Sequence, residues 1–347
     1  MTIVDSARPR VGGVDTHLDT HVAAVVDPNG GVLGVESFPT TPAGYSALSG
    51  WLTSFGPMER VGVEGTGAYG AGLARHLAEH GLIVIEVDRP NRQARRRNGK
   101  SDELDAVEAA RGALSGRVTG HAKTGTGNVE ALRVLLIAKR SARSNRVRTI
   151  VQLRHLMFTA PDELRQRLAT LRVSALVSDT ALLHPDPDDP AVLAAFKATA
   201  VILARRVQGH DTELAALDAQ IEPLVKATAP ALLNVYGCGI DTAAVLLTAA
   251  GDNASRIRSE AAWAKICGVA PVPAKTGKTS KRFRLNQGGN RHANNALWRI
   301  VLTRLGQHEP RTVAYMNRRL AQGKNKSEII RCLKRYVARE TFRALPR

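Results

Sequence analysis

The sequence predicts an α/β domain at the N-terminal end, a helical middle region and a mostly helical C-terminal region. Three observations support this division. Strand-like and helix-like segments alternate over residues 1–122, an apolar heptad repeat occupies the middle, and Arg and Lys crowd the last part. The predicted domains are residues 1–122, 123–225 and 226–347. A chain of 347 residues is long enough for two or three separate cores.

The N-terminal region begins with three strand-like segments. They are Val11–Asp15, His21–Asp27 and Val32–Phe38, and the Pro-Asn-Gly-Gly turn at 28–31 separates the last two. Close spacing favours an antiparallel meander. A helix over residues 41–53 and a strand over residues 60–64 are expected next.

A second helix, a fifth strand and a third helix complete the predicted domain. They are expected over Leu73–His80, Leu82–Val87 and the segment that begins at Asp102. Three strands, helix, strand, helix, strand and helix is the element order of the ribonuclease-H-like fold. In that fold the first and fourth strands are neighbours.

Four carboxylates are expected to meet at one edge of this sheet. Asp15 and Glu64 end the first and fourth strands, where open α/β sheets bind ligands. Ser101 is predicted to cap the third helix, which places Asp102 and Asp105 on one face of its first turn. Such oxygen ligands favour Mg²⁺ or Mn²⁺. The alternative for the helix acids is simple stabilisation by the helix dipole. His17 and His21 are interpreted as structural or substrate-facing residues rather than ligands.

The charge of the chain predicts a polyanionic partner. The net charge is +18, and residues 275–347 contain 19 Lys and Arg against three acids. Nucleic acid fits this field better than a membrane surface, since no amphipathic anchor accompanies the charge. No apolar run approaches the length of a membrane span. Three scattered cysteines give no disulfide framework or zinc spacing. A cytoplasmic protein that associates with the nucleoid is therefore expected.

The middle region predicts a coiled coil. A basic helix is expected over Val129–Met157, and its polar face could contact phosphates or only solvent. A later segment has strict 4-3 apolar spacing, and its seam could pair within the chain or between protomers. The seam consists of Phe196, Ala200, Leu203, Val207, His210, Leu214, Leu217, Ile221 and Leu224.

The C-terminal region has two features suited to phosphate contact. The Gly-x-Gly turn at 237–239 resembles a helix-hairpin-helix element, whose amides can bind phosphate. A polar loop then follows at residues 273–292, where Thr276 lies among cations. A hydroxyl there could attack a phosphodiester, or the loop could only contact the backbone.

These residues resemble the DEDD transposases of the IS-one-ten (IS110) insertion-sequence family, which includes Piv-type invertases and bridge-RNA-guided recombinases. The resemblance runs nearly from end to end. It rests on Gly13-Val-Asp-Thr-His17, Val63-Glu-Gly-Thr-Gly67, Gly99-Lys-Ser-Asp-Glu-Leu-Asp-Ala106, the Gly-x-Gly turn, Gly268-Val-Ala-Pro271 and Arg284-Leu-Asn-Gln-Gly-Gly-Asn-Arg291.

The resemblance implies a RuvC-like N-terminal domain, a coiled-coil linker and a transposase domain. It implies a homo-oligomer, a dimer or tetramer, that uses a structured non-coding guide RNA, the bridge RNA, to pair with donor and target DNA. Asp15, Glu64, Asp102 and Asp105 match the family's metal-binding carboxylates. The family's nucleophilic serine corresponds to Thr276, which is a departure. The expected nucleic-acid contacts are Arg95, Arg96, Arg97, Lys100, Lys275, Lys278, Lys281, Arg282, Arg284 and Arg291.

The leading hypothesis is an RNA-guided DNA recombinase that combines metal ions with a hydroxyl nucleophile. One alternative is a weakened or inactive homologue that binds RNA and DNA without cutting, which the Thr276 departure motivates. Another is a metal-only junction resolvase, which would need little beyond the first domain.

Overall fold

A computed structural model describes residues 9–87, 101–116, 120–273, 283–284, 286 and 288–346. The chain divides into two compact units. The first unit comprises Met1–Thr126, Gly251–Arg258 and Arg347, and the second comprises Gly127–Ala250 and Ser259–Pro346. A mixed sheet with helices forms the first unit, and the second is largely helical, so the chain combines α/β and α architecture.

A five-stranded sheet organises the first unit. Its order is β3-β2-β1-β4-β5, with β1, β2 and β3 antiparallel and β1, β4 and β5 parallel. Each of the three interior strands, β1, β2 and β4, has a run of buried residues, because helices cover both faces of the sheet. The strands are β1 (Arg10–Thr16), β2 (Thr20–Val26), β3 (Val32–Pro39), β4 (Met58–Glu64) and β5 (Val84–Val87).

Three helices cover this sheet, namely α1 (Pro42–Ser54), α2 (Ala71–Glu79) and α3 (Asp102–Leu114). Helices α1 and α2 bury leucines against one face, where Leu48 and Leu73 share a core with Val61. The alanine-rich face of α3 packs on strands of the sheet in two further clusters. Small side chains allow α3 to lie close to the strands.

Two long helices dominate the second unit. Helices α4 (Gly127–Phe158) and α7 (Ala191–Thr228) pack against each other within the chain, and a shared core includes Leu153, Met157 and Val207. All nine residues of the heptad seam are buried or half-buried. The seam therefore has partners inside this chain. Helices α5 (Asp162–Leu168) and α6 (Val173–Ala181) close the same core.

The rest of the second unit is built from short and medium helices. The fully buried Trp263 anchors it, and its indole Nε1 donates to Thr341 Oγ1 at 3.1 Å. No helix among the described residues is long and apolar enough to cross a membrane. The elements are α8 (Pro230–Leu233), α9 (Ile240–Ala250), α10 (Glu260–Ile266), β6 (Val272–Pro273), β7 (Phe283–Arg284), α11 (Arg291–Gly306), α12 (Pro310–Ala321) and α13 (Lys326–Ala344).

Candidate metal centre

Two acids lie at the carboxyl ends of the central parallel strands. Strands β1 and β4 pair in parallel with Val14 opposite Val63, so Asp15 and Glu64 follow at the same edge. The Thr16 hydroxyl donates to the Glu64 carbonyl oxygen at 2.8 Å and ties the two strand ends together. Asp15 is only 6% exposed. The sheet thus holds one buried carboxylate beside a second at its edge.

Helix α3 reaches this edge because two strand glycines let it approach. A Cβ atom on Gly13 would lie 2.2 Å from the Ala106 carbonyl oxygen, and one on Gly62 would lie 2.5 Å from the Ala109 oxygen. Any side chain at either position would collide with the helix backbone. The two glycines therefore set the distance between α3 and the sheet.

The first turn of α3 carries the other two acids. Ser101 caps the helix, and its hydroxyl accepts a hydrogen bond from Leu104 N at 3.2 Å. Asp105 is buried, whereas the Asp102 side chain is half exposed. Asp15, Glu64 and Asp105 line one cavity of about 240 Å³. Three of the four carboxylates therefore surround a single space.

His17 connects the fourth carboxylate to the first. Its Nε2 atom lies 3.0 Å from Asp15 Oδ2 and 3.3 Å from Asp102 Oδ1. One ligand atom from each of these residues falls within 4.8 Å of the others, so the three form a potential metal-binding group. The sequence alone favoured a structural or substrate-facing role for His17, because it follows the first strand as a strand or loop residue; its contact with Asp102 is visible only in the structure.

The electrostatics of Asp15 suit a divalent cation. Burial raises the pKa of Asp15 above its ordinary value; His17 opposes that rise, while the charges of Asp105 and Asp102 add to it. A cation bound beside Asp15 would offset the repulsion that this carboxylate experiences from Asp105 and Asp102. Hard oxygen ligands of this kind fit Mg²⁺, Mn²⁺ or Ca²⁺ better than a soft metal.

Two neighbouring residues have contrasting positions. His21 is fully buried and stacks on Tyr45, with ring centroids 5.7 Å apart and an interplanar angle of 9°. Burial lowers its pKa and favours the neutral ring, which indicates a packing role. Tyr69 is 55% exposed and lines the carboxylate cavity. Tyr69 was not among the residues predicted from the sequence, although it belongs to the Gly-rich turn directly after Glu64.

Most of the expected nucleic-acid contacts fall outside the described residues. Arg291 is exposed at the first position of α11, where the capping Asn290 accepts from His292 N at 2.9 Å. The backbone of Arg284 lies in β7, paired with Val272. Outside the described residues are Arg95, Arg96, Arg97, Lys100, Lys275, Thr276, Lys278, Lys281 and Arg282.

The basic helix α4 uses several cations inside its own unit. Lys139 is 4% exposed and forms ion pairs with Asp218 and Asp241. Arg143 Nη2 donates to Asp241 Oδ2 at 3.0 Å. Burial opposes ionisation of Asp241, but hydrogen bonds from Lys139 and Arg143 outweigh it and hold the pKa of that carboxyl below its ordinary value. These two cations are therefore paired with acids of their own unit, and Lys139 is also buried.

Two family models match the chain. Residues 12–160 match the DEDD transposase model of IS110, and residues 229–317 match the model described as the transposase IS116/IS110/IS902 family. The first match contains all four carboxylates. The second contains the Gly-x-Gly turn and the Gly268–Pro271 segment.

Two curated relatives come from bacterial insertion elements. The insertion element IS110 uncharacterized 43.6 kDa protein of Streptomyces coelicolor is 32% identical over 117 residues, which cover 33% of this chain and 28% of that protein. The insertion element IS900 uncharacterized 42 kDa protein of Mycobacterium paratuberculosis is 28% identical over 176 residues. These residues cover 50% of this chain and 43% of that protein. The chain thus spans less than half the length of each relative that it matches.

Proposed function

The chain belongs to the IS110 family of transposases, and we propose that it cleaves and exchanges DNA strands with a divalent metal ion bound by Asp15, Glu64, Asp102 and Asp105. The observation that carries the proposal is the arrangement of three of these carboxylates around one cavity, with His17 linking Asp102 to Asp15. We further propose a RuvC-like domain over residues 1–122, which the strand order supports.

The carboxylates and His17 have separable roles in this proposal. A divalent ion, when bound, would activate an attacking oxygen and stabilise a leaving one, with Mg²⁺ or Mn²⁺ as the candidates. Asp15 and Asp105 are held by the sheet and by α3, so they supply rigid ligands. His17 fixes Asp102, the most exposed of the set, beside Asp15. Its role is to position the carboxylates.

The C-terminal domain supplies a nucleophile in the proposal. Thr276 corresponds to the family's serine, and its hydroxyl would attack a DNA phosphodiester. A P–O bond to the threonine would form as the P–O bond to one deoxyribose oxygen breaks, and that oxygen would leave as a strand-end hydroxyl, taking up the proton that the threonine loses. A structured guide RNA would select donor and target, and a homo-oligomer would act on the two DNAs in the cytoplasm, at the nucleoid. The linker over residues 123–225 and the transposase domain over residues 226–347 complete the proposed organisation.

Strand cleavage with Mg²⁺ and the element's flanking RNA tests the metal assignment. Asp102→Ala should lower product formation by at least about 100-fold, since a metal ligand is lost. Glu103→Ala is a matched control, because Glu103 lies in the same helical turn and is exposed like Asp102, but it is not part of the group that Asp102 forms with Asp15 and His17. Unchanged product with Asp102→Ala, or equal loss with both variants, would contradict the assignment.

The threonine at the serine position favours a second candidate, a homologue that assembles on RNA and DNA without cutting. Denaturing gels separate the two functions. A protein–DNA adduct that disappears with Thr276→Ala supports the nucleophile, whereas tight binding without an adduct supports the binding protein. Nicking without either an adduct or an RNA requirement would instead indicate a metal-only resolvase.

A further inference from the structure

A cavity of about 650 Å³ in the second unit has both aromatic and cationic walls. Its lining includes Val269, Ala270 and Pro271, which follow α10. Helix α13 contributes several more lining residues to the cavity. Its volume is in the range of small-molecule sites, so it is large enough for one nucleotide. The proposed metal centre lies in the other unit and shares no residue with it.

Aromatic side chains are concentrated at this cavity. They form only 4% of the chain, yet Phe283, Tyr315 and Tyr336 all line it. Phe283 is 59% exposed and Tyr336 is 46% exposed. Tyr315 meets Tyr336 edge-on, with ring centroids 5.4 Å apart, and so restricts the Tyr336 ring. An exposed ring that is held in place, as Tyr336 is, is suited to stacking on a planar ligand, and the exposed Phe283 offers a second ring face.

The cationic wall carries more positive charge than its neighbours neutralise. It consists of four side chains of α13, and Glu260 pairs with two of them, Arg335 at 2.5 Å and Arg339 at 2.9 Å. Lys334 Nζ donates to Asn294 Oδ1 at 2.8 Å, and burial together with Arg331 lowers its pKa. Arg331 is exposed. This surplus charge favours an anionic ligand.

We propose that this cavity binds an unpaired nucleotide of the nucleic-acid substrate, with its base against Phe283 and Tyr336 and its phosphate near Arg331 and Lys334. A duplex hides its base faces in the stack, whereas an unpaired base presents a π-face to a ring. Pro271 and Phe283, which both line the cavity, also flank the proposed nucleophile Thr276 in the sequence. The inference rests on the proposed function, because it assumes a nucleic-acid substrate.

Binding of labelled oligonucleotides to the full chain in EDTA tests the inference without any cleavage. Tyr336→Ala and Phe283→Ala should each weaken binding of a single strand about 5- to 100-fold, the range for loss of one stacked base. Binding of the matching duplex should change less than about twofold. Tyr336→Phe should retain single-strand binding, because it keeps the ring.

Phe158→Ala is the matched control for Phe283→Ala. Both rings are 59% exposed and belong to the second unit, but Phe158 does not line the cavity. The control should leave single-strand binding unchanged. Arg331→Gln should weaken single-strand binding and reduce its salt dependence by about one phosphate contact. DNA and RNA single strands, compared in parallel, identify which strand supplies the nucleotide.

Equal weakening of single-strand and duplex binding by the ring variants would overturn the inference in favour of simple backbone contact. Unchanged binding by both ring variants would overturn it as well. Neither result affects the metal assignment, which the Asp102→Ala cleavage assay tests separately. Conversely, ring-dependent binding of single strands without any cleavage would retain the nucleotide site and reject the proposed catalysis.

Discussion

Each compact unit contains a cluster of aspartates drawn from separate elements, and the clusters differ in what lies opposite the negative charge. In the second unit, Asp218 and Asp241 face the buried Lys139, and Arg143 also pairs with Asp241. In the first unit, the ion-pair partner that the described residues provide for Asp15 is a half-exposed histidine, His17.

The difference appears in the protonation of the two clusters. The pKa of Asp241 is lowered, because hydrogen bonds from Lys139 and Arg143 outweigh its burial. The pKa of Asp15 is raised by burial and by the nearby charges of Asp105 and Asp102. One cluster is neutralised by the protein itself and serves stability. The other has carboxylates that repel one another, as expected where a bound cation completes the charge balance.

Removing Asp241 from the neutralised cluster should produce the largest loss of stability. Asp241→Ala leaves the buried Lys139 with one partner fewer, and we expect the free energy of unfolding to fall by about 3 kcal/mol. Denaturant unfolding measures this loss. Glu222→Ala is the control, because its pair with Lys226 is exposed on both sides and should contribute no more than about 0.5 kcal/mol. Equal losses in the two variants would show that the buried position of Lys139 does not increase the contribution of its ion pair to the free energy of unfolding.

A single added methyl group should disrupt the close packing of α3 against the sheet. Gly13→Ala places a Cβ against the backbone of α3, and we expect a loss of about 2 kcal/mol together with weaker Mn²⁺ binding. Gly50→Ala is the matched control, since no atom lies within 4 Å of its added Cβ and Gly50 is inside α1. That change should stabilise the fold by about 0.5 kcal/mol. Retained Mn²⁺ binding in Gly13→Ala would contradict the role given to close packing.

Opposite pH dependence should distinguish the two clusters in EDTA. The folded pKa of Asp241 is lowered, so its contribution to stability is present above the unfolded pKa of 3.8 and lost as pH falls through the folded pKa. The folded pKa of Asp15 is raised, so its contribution is present below 3.8 and lost as pH rises through the folded pKa. Between pH 3 and 6, the unfolding free energies of Asp15→Asn and Asp241→Asn, each taken relative to the wild type, should therefore change with pH in opposite directions. If the unfolding free energies of the two variants changed with pH in the same direction, the two aspartate clusters would not differ in the way described.

The sequence predicted the order of strands and helices in the first unit. Apolar segments of strand length ended in acids, and Ser101 preceded an acidic helix start, which is the cap that the structure contains. The position of His17 between Asp15 and Asp102 could not be predicted in the same way. It depends on how closely α3 packs on Gly13, a distance that no local pattern encodes.

The ion pairs of Lys139 are a second feature that the local sequence could not predict. A lysine on a basic helix gives the same local pattern whether it faces water, phosphate or a buried acid. Its partner Asp241 is 102 residues away, so only the tertiary packing reveals the pair. The heptad seam likewise predicted an interface but not its partner. The structure shows that the seam helix α7 packs against α4 of the same chain.

Direct Mn²⁺ binding to the full chain is the measurement that tests the central claim. Electron paramagnetic resonance of free Mn²⁺ during titration would give the number of bound ions in the wild type, Asp15→Asn and Asp241→Asn. We expect the wild type and Asp241→Asn to bind Mn²⁺ equally, and Asp15→Asn to lose at least about tenfold in affinity. Equal Mn²⁺ binding by Asp15→Asn and the wild type would contradict the proposal that Asp15, Glu64, Asp102 and Asp105 form a metal centre.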